Sequence, residues 1–425
     1  YEITTRLVGS EMCIRDSPNR RSVFFMDRDY IALIKSYEVK GSKYGLNRVR
    51  ALLAMLKHPD ESLKIIHVAG TNGKGSTCMY LTEILLQAGK RVGTFTSPEV
   101  YTYEDKFLLD GKPAPTETLN AYLGKTYGIA MAMDDKPTAF EIETAAALDM
   151  FRSEGSEYVV FECGLGGLTD STNAIMKKEL AVITSVSLEH TALLGNTVLE
   201  ICKQKAGIIK DCPAIVSALQ QEDALEYFRS LGCKITDTPQ CLFRGQTYRM
   251  FGYGSLKYRI HMQGDAQMYN AALAIECAAA LGIGYKAISD GLENMKLPGR
   301  VEIVSADRTY VLDGSHNPAS FGPLMDTLQE MQGRKSLVFG CLADKDVSAA
   351  ADVLKGKFEE VVLVSPHSYR AMDMSEMKNA FEKRFPIVCI ADNIGAALQK
   401  VQNTTVVVCG TFTILKEAKE WINKR

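Results

Sequence analysis

A glycine-rich turn carrying one lysine and two hydroxyls is the most chemically informative stretch of this 425-residue chain. It reads IIHVAGTNGKGST over Ile65–Thr77 and joins an apolar run to a helical pattern. The glycines let backbone N–H groups approach an anion, and the N-terminus of the following helix adds a favourable field. Lys74 would pair the terminal phosphates of a nucleotide, and Ser76 or Thr77 would hold Mg²⁺ or a phosphate oxygen. The commonest phosphate loop, GxxxxGK[ST], is not matched: Val68 stands at its first glycine, and Gly75 separates Lys74 from Ser76. A turn that only caps a helix needs neither the lysine nor the hydroxyl pair. Phosphate binding by Gly70, Thr71, Asn72, Gly73, Lys74, Gly75, Ser76 and Thr77 is therefore the expectation.

Other side chains stand where they could serve the same site. Glu162 ends the apolar run YVVF. It is either a solvent-facing strand end or an acid that holds Mg²⁺ or a water near the terminal phosphate. His190 follows Glu189 beyond another apolar run and is either structural or a ligand. Asp313 and His316 lie in DGSHN, whose residue types favour a turn, although a turn does not need the histidine. They could approach a nucleotide from across a cleft. Lys205, in KQKAGIIK, is not separable by composition from Lys203 and Lys210.

These residues need a scaffold. Leu63–Ala69 reads as a strand, Ser76–Gln87 as a helix and Arg91–Phe95 as the next strand, which makes a βαβ unit and a parallel sheet. Tyr158–Cys163, Leu180–Val186 and Ala214–Ser217 read as further strands, so Glu162 and His190 fall just past strand C-terminal ends, where open α/β sheets bind ligands. Phe140–Phe151, Glu200–Ile209 and Asn270–Leu281 read as helices, and Gly245–His261 as local β structure. Thr96–Glu117 reads as a mobile loop over the site. Early helices are expected at Tyr30–Ser36 and Val49–Leu56. The Pro298-Gly299 pair marks a domain boundary. Beyond it, strands at Tyr310–Leu312, Ser336–Phe339, Glu360–Val364, Ile387–Ile390 and Thr405–Cys409, with helices at Phe321–Met331 and Ile414–Ile422, make a second α/β unit without a phosphate loop of its own. A ligand between the two units is expected.

Bulk composition narrows the function classes. The chain is 46% hydrophobic and 24% charged with net charge -2, values of a globular protein that lend no support to a nucleic-acid surface beyond a local patch. No apolar run nears the roughly 20 residues of a membrane helix. Eleven scattered cysteines without metal-site spacing read as free thiols of a reducing, cytoplasmic compartment. Residues 1–25 lack sustained periodicity and are expected to be an ill-ordered or extraneous leader, with the folded unit beginning near Met26. Neither nucleic acid nor membrane is an expected partner, and a monomer is expected.

Taken together, HVAGTNGKGSTC, TFTSP, FEIETAAALDMF, ECGLGG with Asp170 and Thr172-Asn173, SLEHTALLGNT, EICKQKAGIIK, QMYNAALAI, LPGRVEIV and LDGSHNP resemble the folylpolyglutamate synthase/dihydrofolate synthase family of Mur-ligase-like enzymes, in one order from Met26 to the C-terminus. The resemblance implies an α/β fold: a P-loop-containing parallel-sheet ATPase domain at 26–298, then a smaller Rossmann-like domain at 299–425. It implies ATP-dependent ligation of L-glutamate to a folate, and to dihydropteroate in bifunctional members, through an acyl phosphate. It further implies two Mg²⁺ ions, metal positions at Ser97, Glu162 and His190, and a carbamylated lysine at Lys205 as ligand of the second ion. Asn270, Arg300, Asp313 and His316 match nucleotide-side positions, and Lys74, Glu162, His190 and Lys205 carry the chemistry. The chain departs from the family pattern at Glu99, where a histidine is usual, and at Leu168, where an arginine is usual. Asp105-Lys106 replaces a Glu-Arg pair, and Glu189 an aspartate. The first two changes point to acceptor placement rather than ATP binding. They leave open a ligase acting on a non-folate carboxylate, or a nucleotide-binding relative without turnover.

Overall fold

The computed structural model describes residues 28–38, 45–245, 247–368 and 370–425. The expected leader and the expected start at Met26 lie outside the described residues.

Eight strands build the first sheet: β1 (Lys64–Ala69), β2 (Val92–Phe95), β3 (Phe107–Leu109), β4 (Lys112–Pro113), β5 (Tyr158–Glu162), β6 (Leu180–Ile183), β7 (Ala214–Val216) and β8 (Lys234–Ile235), in the order β4-β3-β2-β5-β1-β6-β7-β8. From β2 to β8 all neighbours are parallel, while β3 and β4 add an antiparallel edge. β1 is buried at every position after Lys64, as expected of a central strand covered on both faces. Helices Lys74–Gln87 and Ala266–Ala280 cover one face, and Ala139–Ser153 with Thr116–Ala132 the other. Each large aliphatic or aromatic side chain so buried contributes roughly 1.5–3 kcal/mol, which holds the sheet edge that must present the site.

Register decides which residues emerge together. Val68 pairs with Glu162 on one side and with Val182 on the other, and Phe95 pairs with Phe161. The segments after β1, β2, β5 and β6 therefore leave the sheet at one level.

A small antiparallel sheet follows, made of β9 (Gln240–Arg244), β10 (Arg249–Tyr253) and β11 (Leu256–Ile260). Its Phe251, Tyr258 and Ile260 share the core under Ala266–Ala280. The last sheet contains β12 (Glu302–Ser305), β13 (Thr309–Asp313), β14 (Lys335–Phe339), β15 (Glu360–Val364), β16 (Val388–Ala391) and β17 (Thr405–Cys409), ordered β12-β13-β17-β14-β15-β16. Only β12 runs antiparallel to its neighbour among these described strands. Asp313 pairs with Cys409, so the turns after β13 and β17 emerge side by side.

The stretch expected as a mobile loop, Thr96–Glu117, is largely ordered structure instead. It holds a 3-10 turn (Tyr103–Lys106), β3, β4 and the start of helix Thr116–Ala132. Packing explains this. Phe107 meets Phe95 with ring centroids 5.2 Å apart, and Lys106 donates to buried Glu143 at 2.6 Å. The Asp105-Lys106 pair thus serves the wall itself: Asp105 completes a capping box with Thr102. Among the described residues no helix is long and apolar enough to cross a membrane, and the ten cysteines there are free thiols.

Candidate active site

Backbone geometry forces glycine into the turn after β1. A Cβ on Gly70 would fall 1.8 Å from the Thr184 hydroxyl, and one on Gly73, where φ is +89°, 2.3 Å from Asn270 Oδ1. The Thr71 and Asn72 amides both donate to the Ser185 carbonyl (2.7 and 3.3 Å), and the Thr71 hydroxyl accepts from the Ser187 amide at 3.1 Å. These two residues fasten the turn to the segment after β6. The first-turn amides of helix Lys74–Gln87, the unpaired donors of any helix start, are left for an anion. Lys74 folds back, with Nζ donating to the Gly70 and Thr71 carbonyls at 3.1 Å each. Ser76 faces the cleft and accepts from Gln267 Nε2 at 3.2 Å. Thr77 is buried in the helix, so of the two hydroxyls only Ser76 is at the cleft wall.

Around that turn lies a cleft of about 280 Å³ lined by Thr71–Ser76, Ser97, Glu162, His190, Asn270, Arg300, Asp313 and His316. The residues singled out from sequence on both sides of the expected boundary therefore converge. Glu162 is 4% exposed. Its Oε2 accepts from the Ser97 amide at 3.3 Å and lies 3.6 Å from where a Cβ on Gly75 would be. Burial pushes its carboxyl up to about 7, against the pull of Lys74, the Ser97 amide and Arg300. Opposite, the Arg300 guanidinium stands 4.6 Å over the Phe412 ring. Asp313 fixes that turn by accepting from the Val301 and Ser315 amides at 2.8 Å each. His316 Nδ1 meets the Gly314 carbonyl at 2.9 Å and so carries the proton there, which leaves Nε2 as an acceptor. Burial holds this imidazole down at about 4, so it is neutral near pH 7.

Lys205 is not in the cleft wall. It sits behind the turn, 1% exposed, on helix Val198–Ala206, whose start is set by a Thr197/Glu200 capping box. Its Nζ donates to the Gly70 carbonyl at 2.7 Å and lies 3.5 Å from Glu189. Burial, then Lys74, pull it down to about 8. The loop after β5 is tied to the same helix. Asp170 accepts from the Leu165 and Thr172 amides (2.7 and 3.0 Å), and Asn173 Nδ2 donates to the Leu168 and Gly207 carbonyls, each at 3.0 Å.

A wider groove of about 1100 Å³ adjoins the cleft. Pro98, His190, His316 and Phe412 line both. Glu99, Tyr101 and Glu117 stand on one side of it, and Lys345, Arg370 and Lys416 on the other. Of the two departures expected to bear on the acceptor, Glu99 lies in this groove. Leu168 lines neither space; it is 48% exposed against Gly207.

Sequence reasoning missed Gln267, Ser185, Phe412 and Tyr101. Gln267 had a signal: it precedes Asn270 by three residues, one helical turn on the same face. The others act through backbone pairing or across the two sheets and have no local signature.

Whether these residues suit Mg²⁺ can be judged from the donors. No cluster of three His, Cys, Asp or Glu side chains able to hold an ion occurs among the described residues. Mg²⁺, however, commonly takes one or two protein oxygens and completes its shell with phosphate and water. A buried carboxylate held against the first helical turn, with the Ser76 hydroxyl nearby, fits that pattern.

Two family models match the chain: the Mur ligase middle domain over residues 68–278, and the Mur ligase glutamate ligase domain over residues 299–412. The dihydrofolate synthase/folylpolyglutamate synthase of Bacillus subtilis is 37% identical over 72% of this chain and 77% of its own length. Folylpolyglutamate synthase of Mycobacterium tuberculosis, solved with ADP and AMPPCP, is 26% identical with a TM-score of 0.82, covering 93% of this chain and 100% of that one. A bifunctional folylpolyglutamate synthase/dihydrofolate synthase with Mn, AMPPNP and L-glutamate bound is 27% identical with a TM-score of 0.80, covering 94% and 99%. The phosphate turn, the two sheets that face each other across the cleft and these likenesses agree, and the chain belongs to the folylpolyglutamate synthase/dihydrofolate synthase family of Mur ligases.

Proposed function

We propose that this protein joins the amine of L-glutamate to a carboxylate of a folate, using ATP and an acyl phosphate, with dihydropteroate a second acceptor if the enzyme is bifunctional. The observation that carries this reading is the junction of two voids. A cleft fit for nucleotide phosphates opens into a groove wide enough for a larger acceptor, and Pro98, His190, His316 and Phe412 border both. A terminal phosphate and a carboxylate would meet there.

The chemistry needs that meeting. A carboxylate is a poor electrophile at neutral pH, so its oxygen first attacks the terminal phosphorus of ATP and ADP leaves. The glutamate amine then attacks the carbonyl carbon. The C–N bond forms, the C–O bond to phosphate breaks, and the amine loses a proton. Lys74, released from its own loop carbonyls, neutralises the phosphates in both steps, and the first-turn amides of its helix hold their oxygens. Asn270 and Arg300 act on the nucleotide from the helix and the facing turn, Asp313 keeps Arg300 in position, and neutral His316 offers Nε2 as an acceptor at the junction.

Ser97, Glu162 and His190 would hold Mg²⁺, which supplies charge neutralisation on the phosphate oxygens. A second ion would need Lys205 as a carbamate. Its amine, brought down to about 8 by burial, is neutral often enough to attack CO₂, forming an N–C bond with loss of a proton and turning a cation into an anionic oxygen ligand. We place the domain boundary at 298/299 and the enzyme in the cytoplasm, where its unpaired cysteines would stay reduced.

The test is product analysis with ATP, Mg²⁺ and L-glutamate, supplying dihydropteroate and tetrahydrofolate separately. Glutamate incorporated into both defines a bifunctional ligase, and into tetrahydrofolate alone a monofunctional one. Incorporation into neither would reject the reading.

A further inference from the structure

The segment after β2 leaves its own sheet and fastens to the other. Val100 and Tyr101 pack against the core formed by β13, β17 and helix Thr413–Ile422. A Cβ on Gly299 would lie 2.8 Å from Val100 Cγ1. The Tyr101 hydroxyl donates to Glu302 Oε2. The Gly299 amide donates to that same oxygen at 2.9 Å, and Lys419 Nζ to the other at 2.6 Å. One partly buried carboxylate thus collects donors from the β2 loop, from the turn beside Arg300 and from the last helix.

The loop is also held at its other points. The Tyr101 and Thr102 amides donate to Asp105 at 2.7 and 2.8 Å, and the Ser97 amide donates to Glu162. Pro98, which borders both voids, and Glu99 lie between the Glu162 and Glu302 anchors.

We propose that Tyr101 and Glu302 are positioning residues: through this loop they fix the wall between cleft and groove, so that the activated carboxyl meets the glutamate amine rather than water. The inference rests on the acyl-phosphate reading above. Water attacking the acyl phosphate regenerates the carboxylate and frees phosphate, so ATP is consumed without an amide. Neither residue needs to touch the reacting atoms. A hydrogen bond to a charged group shifts an equilibrium by roughly one to two powers of ten, so loss of the Tyr101 hydroxyl should loosen the wall while the retained ring keeps its shape.

The experiment measures phosphate released per amide formed, in the full-length protein with ATP, Mg²⁺, L-glutamate and tetrahydrofolate, together with the melting temperature. Wild type is expected near one phosphate per amide. Tyr101→Phe and Glu302→Gln are each expected to raise that ratio at least roughly threefold. A merely structural role would lower active protein and scale phosphate and amide together, leaving the ratio unchanged. An unchanged ratio in both variants beside a coupled wild type overturns this inference alone. A wild type that forms no amide overturns the functional reading, and this inference with it.

Discussion

The cleft and the groove that meet at His190 and His316 are built from different materials. The cleft is walled by backbone and by side chains already committed to one another: Thr71 with Ser187, Ser76 with Gln267, Asp313 with Val301 and Ser315. Its residues come from strand ends, where register leaves little freedom. The groove is about four times larger, 1100 against 280 Å³. It is bordered by charged side chains such as Glu99, Lys345, Arg370 and Lys416 on loops and helix starts. On the proposed function, nucleotide chemistry sits on preorganised backbone, with Lys74 the side chain that must first leave its loop carbonyls. On the same reading, acceptor recognition sits on side chains that can change without disturbing the sheet.

The largest test of that contrast is Lys74→Ala. It removes a charge from the rigid wall and no core packing, so turnover should fall roughly 10²- to 10³-fold with an unchanged melting temperature. Comparable turnover would remove Lys74 from the mechanism.

His316 tests the junction. Its folded value near 4 lies below the unfolded 6.5, so between those pH values the unfolded chain binds the extra proton. The stability contribution is complete above 6.5 and is lost as pH falls towards 4, at most about 3 kcal/mol. Denaturant titrations across that window should show a shallower slope in His316→Asn than in wild type. An identical slope would mean the imidazole is not held neutral.

On the groove side, Glu99→Gln should change the KM for glutamate or the folate about two- to fivefold, the scale of one partly screened charge, with the KM for ATP unmoved. A change confined to ATP would erase the distinction between the two walls. Smallest of all, Leu168→Arg should leave every KM within roughly twofold, because an exposed position that lines neither void has little to act on. A large gain in acceptor binding would show that the groove extends over the loop after β5.

What could be read from sequence follows the same division. The phosphate turn, Glu162 and DGSHN were legible because strand, glycine turn and helix start lie next to one another in the chain, and the parallel strands around them are near-continuous apolar runs. Tyr310, Val406 and the residues near them marked the second sheet for the same reason. The β2 loop reads as mobile from sequence because Pro, Gly and charges dominate Thr96–Glu117, while the contacts that order it, Lys106 to Glu143 and Tyr101 to Glu302, span 37 and 201 residues. The helix Thr116–Ala132 escaped notice for a related reason: glycines, threonines and tyrosines interrupt its apolar face, and it is tertiary packing on Ala139–Ser153 that stabilises it. Leu168, a departure that the resemblance links to acceptor placement, lines neither void: its amide donates to the Gln204 carbonyl at 2.8 Å and its side chain is half-exposed.

The central claim is that ATP activates the acceptor by phosphorylating its carboxylate, and the fate of one oxygen tests it most directly. Tetrahydrofolate labelled with ¹⁸O in its terminal carboxylate is incubated with the enzyme, ATP, Mg²⁺ and L-glutamate, and the released phosphate is analysed by mass. One ¹⁸O per phosphate is expected, since the oxygen that attacks phosphorus departs with it when the C–O bond breaks. Amide formation with unlabelled phosphate would contradict the acyl-phosphate route.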